Sequence, residues 1–378
     1  MEVAGTIAAF LAVLVVLVLV HELGHFIVAK RAGITVQEFG VGFPPRIASV
    51  MWHGTRYSIN WIPLGGFVKM LGEDGEIEVD RLRRDGLSEP EVQRAMEGAF
   101  SRRPIPVRIA VLLAGVVMNF LLAAALFAVA LSLPVQVGYG PLTVVDVQDD
   151  SPAEGKLQTD DVIVSAGGHN FDRSFERSRD LTEYVSLHAG DPIVLGVVRD
   201  GREIAVTVTP RELTDEQRRQ GAGAIGFAYE PERIVEEPSP VESPVDAALQ
   251  GTAAAATLAV QIPGGLADAI GGLLGLNPGA ADDARGPIGI AEETGRVLEA
   301  SLVSQLLFVG VLSVNLAVLN VLPFPPLDGG RIAVVLVEAL RRRRLPAERE
   351  ALIYLTGFAV LIALVILISI QDVRRLFE

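Results

Sequence analysis

The sequence predicts an α-helical multi-pass membrane protein: four transmembrane helices, a membrane-associated β-hairpin or sheet, and one extracytoplasmic α+β domain. Three observations predict it. Half of the 378 residues are hydrophobic and the mean hydropathy is +0.41, too apolar for a soluble chain of this length. Four apolar segments are long enough for the roughly 20-residue helix that crosses about 30 Å of hydrocarbon. Between the second and third lies a long mixed segment, 134–299, whose short apolar runs alternate with turn signals in its first half.

The first span is about Ala4–Ala29, in a transmembrane segment 1–30. It opens on 18 uncharged residues, Val3 to Val20, and runs straight into His21-Glu22-Leu23-Gly24-His25. No basic region precedes it as in a cleavable signal peptide, so it is expected to be retained. Ionisable groups are costly inside a span, and those that remain usually pair, bind metal or line a cavity. On a helix, residues four apart share a face, so both imidazoles can reach one ion while the adjacent carboxylate reaches its water. A chance H-E-x-x-H string is expected in about one chain of this length per hundred, and two of only five histidines fall in this one. The expectation is a hydrolytic zinc site within the bilayer, with His21 and His25 as ligands and Glu22 as base. The alternative is a pair of hydrogen-bonded histidines in a helix bundle.

Segment 31–105 alternates apolar and turn residues over Gly33–Gly72, notably Phe39–Pro45 and Tyr57–Ile62, and predicts a hairpin-like element at the cytoplasmic membrane face. Glu73–Glu97 is acidic and arginine-dotted, as expected for solvated loop and a short helix. The second span, within 106–133, has one amide, Asn119. Residues 213–299 are expected to be linker, over Glu212–Val245 with its four prolines, followed by amphipathic or surface helices. Ala247–Ala281, interrupted by Pro263 and Asp268, is expected to lie on the membrane rather than cross it. The third span with its following turn occupies 300–330, a basic cytoplasmic loop 331–350, and the fourth span and tail 351–378.

Basic residues orient these spans. Lys30 and Arg31, then Arg102, Arg103 and Arg108, then Arg331 and Arg341–Arg344 place their loops in the cytoplasm, against the short tail with Arg374 and Arg375. His21, His25 and Asp328 then fall at matching depth, toward the cytoplasmic side. A net charge of −14 argues against nucleic acid as a partner, and zero cysteines exclude thiol nucleophiles and thiolate ligands.

A catalytic zinc keeps three protein ligands. After the third span, Asn320-Val321-Leu322-Pro323-Phe324-Pro325-Pro326-Leu327-Asp328-Gly329-Gly330 offers a carboxylate at membrane depth. The prolines break the helix, and irregular backbone is tolerated there where it lines a polar cavity. Taken alone, Asp328 reads equally as a ligand or as the N-cap of a following helix. Beside HELGH, the ligand is favoured.

HELGH in the first span, N-x-x-P-x-P-x-L-D-G-G after the third, and a single insert between spans two and three resemble the site-2 protease family. Within it the bacterial regulator-of-sigma-E-protease branch is the nearest match. Further matching segments are Ile62–Met70 with Gly65 and Gly66, Gly115 to Asn119-Phe120, and Gly286–Ala291; Val116 departs, the family more often having proline there. The resemblance implies an intramembrane zinc (Zn2+) endopeptidase. It would cleave single-span membrane proteins, such as anti-sigma-factor-like proteins, or signal-peptide remnants, after an upstream site-1-type protease has trimmed them. It implies a re-entrant sheet beside the site, and substrate contacts at Asn320, Pro323, Gly65 and Gly66, with Asn315 and Asn119 weaker candidates. Asparagine in a span is more often interhelical glue.

Residues 138–211, within a domain 134–212, resemble one PDZ domain, expected as a size filter ahead of a peptide-binding module. Leu142–Val147, Ile193–Val198 and Ile204–Val208 read as strands, the last two around an Asp200-Gly201 turn. Asp160-Asp161 replaces the usual Gly-Asp, and Gly138-Tyr139-Gly140 is a candidate carboxylate-binding loop. Two other function classes stay open: a PDZ membrane scaffold with an inactive metal site, and a metal transporter. The latter is disfavoured by the single visible site and the lack of repeated halves.

Overall fold

A computed structural model describes residues 3–73, 79, 82–84, 86, 88–170, 177–213, 223–239, 241–273, 286–343 and 345–375. The chain forms two units: Met1–Ser132 with Val241–Glu378, and Leu133–Pro240.

In the first unit α1 spans Val3–Arg31 and ends on Lys30 and Arg31, cations that suit a helix C-terminus. β1 (Val36–Trp52) and β2 (Thr55–Met70) form an antiparallel hairpin closed where Trp52 faces Thr55. Its inner end packs on α1 through Phe39, Val36 and Val68, while Ile47, Val50, Met51, Trp52, Ile59 and Trp61 near the tip are exposed. α2 (Glu89–Ala95) follows, with Val92 and Met96 buried against Leu71 and Ala99, so this stretch is less solvated than its composition suggests. The sequence from 74 to 78 lies outside the described residues.

α3 (Ile105–Ser132) runs beside α1 and buries Val111, Leu112, Ala114, Gly115, Asn119, Ala123, Ala124, Phe127 and Ala130. The crossing is close because Gly24 sits on α3: a Cβ there would stand 2.3 Å from the Ala114 carbonyl oxygen.

After the second unit, α4 (Pro244–Leu273) lays Ala255 against Ala123, Ala124 and Phe127 of α3. It continues through Pro263, against the expected interruption there. α5 (Pro287–Glu299) precedes α6 (Leu302–Val321), whose Ser301 cap accepts from Ser304 N at 3.2 Å. The irregular segment Leu322–Leu327 then leads to α7 (Asp328–Arg341) and α8 (Ala347–Arg375). The expected basic loop 331–350 is therefore helical over much of its length; Ile332, Val334 and Val335 give it an apolar face that the arginine run obscures. Among the described residues, four helices are long and apolar enough to cross a membrane: Ala4–Arg31, Ile105–Ser132, Leu302–Val321 and Glu348–Arg374. They fall on the four expected segments, and α4 is not among them.

Among its described residues the second unit is an antiparallel sheet with one helix. Strands β3 (Val135–Val147), β4 (Val162–Ala166), β6 (Ile193–Arg199), β7 (Arg202–Val208) and β8 (Phe227–Glu237) line up as β7-β6-β4-β3-β8, with the short β5 (His169–Asn170) on β4. Helix α9 (Ser178–Leu187) drives Leu181 and Val185 into a core of Leu142, Val144, Ile163, Leu195 and Val197. Two expectations are corrected. Phe227–Glu237 is strand rather than linker, pairing β3 from Val135↔Glu237 to Val147↔Phe227, so the domain runs past 212. β8 is an edge strand, where Pro231 and a row of glutamates are tolerated and mask the strand pattern. Gly138-Tyr139-Gly140 lies inside β3 and is not a free loop.

Asp161 is the buried polar anchor of this unit. Burial opposes its ionisation, but Arg199, at 2.6 and 2.7 Å, and the Gln158 amide at 2.8 Å hold its carboxyl below the ordinary carboxylate range. A depressed folded value stabilises above the unfolded pKa of about 4 and is lost as pH falls through the folded value. Arg199→Leu is expected to cost the second unit about 2 kcal/mol at neutral pH, and to flatten its loss of stability below pH ~4. Hydrogen exchange at β4 and β6 amides across that pH range checks both.

Candidate metal centre

Three side chains from α1 and α7 converge. His21 Nε2 lies 2.9 Å from Asp328 Oδ2, His25 Nε2 lies 3.2 Å from the same oxygen, and the two Nε2 atoms are 3.1 Å apart. Their ligand atoms all fall within 4.8 Å of one another. One turn of α1 supplies both imidazoles, as the four-residue spacing requires. The proline-broken link after α6 supplies the third, because it lets α7 start at Asp328 itself. Asp328 occupies the first turn of α7, yet Leu327 is the cap residue and the carboxylate is turned to the histidines.

The donor set suits a zinc ion: two nitrogens from α1 and one oxygen from α7, facing a cavity that can admit a fourth ligand. Two further features fit. His25 donates Nδ1–H to the Val111 carbonyl at 2.8 Å, which leaves Nε2 free to coordinate. The two rings also occupy the space that a side chain on Gly115 would fill: a Cβ there would stand 2.5 Å from His25 Nε2 and 2.7 Å from His21 Nε2.

These groups open onto a cavity of about 660 Å³ that Glu22 also lines, with Val18, Phe43, Phe67, Asn320 and Tyr354 among its walls. Asn320 donates to the Leu316 carbonyl at 2.9 Å while lining the cavity. Gly66 backs onto Glu22, its Cβ position 3.6 Å from Glu22 Cγ, and Gly65 sits near Val18 and Phe43. The other candidates lie elsewhere. Pro323 is exposed, Asn315 is half-buried on α6, and neither lines the cavity. Asn119 is fully buried beside His21 instead, its amide nitrogen 3.4 Å from Nδ1.

Sequence reasoning missed one pair in this cavity. Arg331 of α7 forms an ion pair with Glu73, just beyond β2, and its guanidinium lies 5.9 Å from the Tyr354 ring centre on α8. Arg331 could have been found from its place three residues after Asp328, on the same helix face. Glu73 carried no such signal.

The chain matches the description "Peptidase family M50" over residues 9–364. Among curated proteins it is 30% identical to the zinc metalloprotease RasP of Geobacillus kaustophilus, covering 100% of this chain and 99% of that one. It is 31% identical to the metalloprotease MmpA of Caulobacter vibrioides over 98% and 95% of the two chains. It is 28% identical to the regulator of sigma-W protease RasP of Bacillus subtilis over 99% of each. Among solved structures, the PDZ domain of an SdrC-like protein from Listeria innocua is 21% identical, covers 25% of this chain and 97% of that one, and has a TM-score of 0.20, too low to bear on the fold.

Gly115→Ala should force a methyl group into the two imidazoles while leaving α3 helical. Proteolytic activity is expected to fall by about 10²-fold, with helix content by circular dichroism unchanged. Retained activity would mean that the rings are not held where they stand.

Proposed function

The chain belongs to peptidase family M50, a metalloprotease whose described residues include four helices fit to cross a membrane, and from that premise we propose that His21, His25 and Asp328 hold the zinc and that Glu22 is the general base of an intramembrane hydrolysis. The observation that carries this reading is the convergence of three donor atoms within 4.8 Å, across 307 residues of chain, at the wall of a cavity that also presents Glu22.

Zinc bound there supplies Lewis acidity, acidifying water and polarising a peptide carbonyl. The rest is the work of side chains. Glu22 takes the proton of the attacking water and returns it to the departing amine. The phenylalanines of the cavity wall, Phe43 and Phe67, keep bulk water from the scissile bond. Asn320 lines the cavity and, as the family resemblance implies, would hold substrate backbone. A helical substrate must be drawn out before its peptide bonds are reachable, and a hairpin edge pairs naturally with an extended strand. β2 supplies that edge through Gly65 and Gly66, against the face of α1 that carries Glu22.

The substrates that fit this arrangement are single-span membrane proteins, anti-sigma-factor-like proteins or signal-peptide remnants among them, presented after a site-1-type protease has removed their bulk. The basic residues flanking α1, α3 and α7 favour a cytoplasmic-membrane protein with its catalytic end toward the cytoplasm and the sheet domain outside. That domain is best read as a PDZ-type filter against substrates with large outer parts. The exposed apolar residues of the hairpin tip, Trp52 and Trp61 among them, favour its insertion into lipid. None of these features favours a scaffold or a transporter.

Glu22→Gln is expected to lower cleavage of a tagged single-span substrate by at least about 10²-fold with zinc content unchanged. His21→Ala and Asp328→Ala are expected to lose the zinc as well. Elemental analysis beside a cleavage assay in detergent separates the two classes, and full activity of Glu22→Gln would refute the base assignment.

A further inference from the structure

We propose that Asn119 is a positioning residue for the metal site: its side-chain amide accepts the Nδ1 proton of His21 and thereby aims Nε2 of that ring at the ion. The inference rests on the zinc reading above. Its geometry comes from matched spacings on two helices. α1 presents His21 and His25 four residues apart; α3 presents Val111, Gly115 and Asn119 at the same interval, so each set stacks on one face. The partners meet in reverse order, His25 with Val111 and His21 with Asn119, with Gly115 between them making room for both rings.

A histidine that coordinates through Nε2 carries its proton on Nδ1, and that proton needs an acceptor. His25 has the Val111 carbonyl at 2.8 Å. For His21, the side-chain group facing Nδ1 is the Asn119 amide, at 3.4 Å. Asn119 is fully buried, and its Oδ1 has no hydrogen-bond partner. A half-turn of the amide exchanges its two ends and brings that oxygen to the ring proton, an exchange that leaves the shape of the side chain unchanged. The backbone is held while this happens, because Ser313 Oγ of α6 donates to the Asn119 carbonyl at 2.8 Å. Asn119 does not line the catalytic cavity, so a substrate contact does not account for an amide at this depth.

The test uses the full chain, purified in detergent, with zinc affinity measured by competition against a chromophoric chelator. Asn119→Leu keeps the volume and removes the acceptor; it is expected to weaken zinc binding about 10–100-fold. Asn119→Ala, which adds no bulk, should show the same loss should the leucine variant fold poorly. Asn119→Asp retains an acceptor at the same place and should restore binding to within about threefold of wild type, as carboxylates commonly serve this role. The visible spectrum of the cobalt-substituted protein should shift in the leucine and alanine variants and not in the aspartate. A residue that merely fills space predicts the opposite order: leucine tolerated, and a buried carboxylate disruptive. That order overturns the proposal. Equal zinc content in wild type and His21→Ala would instead overturn the metal reading on which it stands.

Discussion

Two imidazoles and a carboxylate packed within 4.8 Å, deep among apolar helices, set the terms for everything around them. Such groups lose hydration on burial, and the loss is recovered only by close, well-directed partners. The neighbourhood is shaped to provide them. α3 comes near enough to lend a backbone carbonyl to His25 because Gly24 and Gly115 carry no side chains at the crossing. The chain breaks its helix between Leu322 and Leu327 so that Asp328 can turn inward instead of capping its own helix. The glycine crossing and the proline break both serve those three donors.

The same demand explains how the hairpin is attached. One end of β1 and β2 packs on α1 and brings Gly66 against Glu22, while the other end exposes a band of large apolar residues. An element with one face on α1 and an exposed apolar tip suits a lipid boundary better than water. The Glu73–Arg331 ion pair fastens the end of this hairpin to the helix that carries Asp328. Glu22, Asp328 and the hairpin edge are thus tied into one frame, as the proposed hydrolysis would need for the scissile bond to meet both base and metal.

Legibility in the sequence followed the range of the interaction. His21, Glu22 and His25 were readable because a four-residue interval on a helix is local information, and the prolines after Asn320 announced a break for the same reason. Asp328 needed a second step: only the presence of HELGH chose ligand over cap. The four spans followed from hydropathy alone. The strand Phe227–Glu237 escaped because an edge strand is permitted charges and a proline that a central strand is not. α7 was hidden by the arginines at its end. The Glu73–Arg331 pair, 258 residues apart, and the contact of Asn119 with His21, 98 apart, are products of the fold, and no periodicity in either segment points to the other.

Lipid changes what holds such a unit together. Hydrocarbon is as apolar as leucine, so helices within it gain little from hiding their side chains from solvent, and association depends on close backbone packing and on polar contacts. The interface of α1, α3 and α4 is built accordingly from Gly24, Ala114, Ala123, Ala124 and Ala255. α7 has less of this packing to rely on; Arg108 of α3 reaches its Glu338 at 3.1 Å, and Arg331 reaches Glu73. Coordination by Asp328 would add the strongest of these polar links, joining α7 to α1 directly. The helix that carries the proposed third donor would therefore gain much of its place in the bundle from that donor being bound.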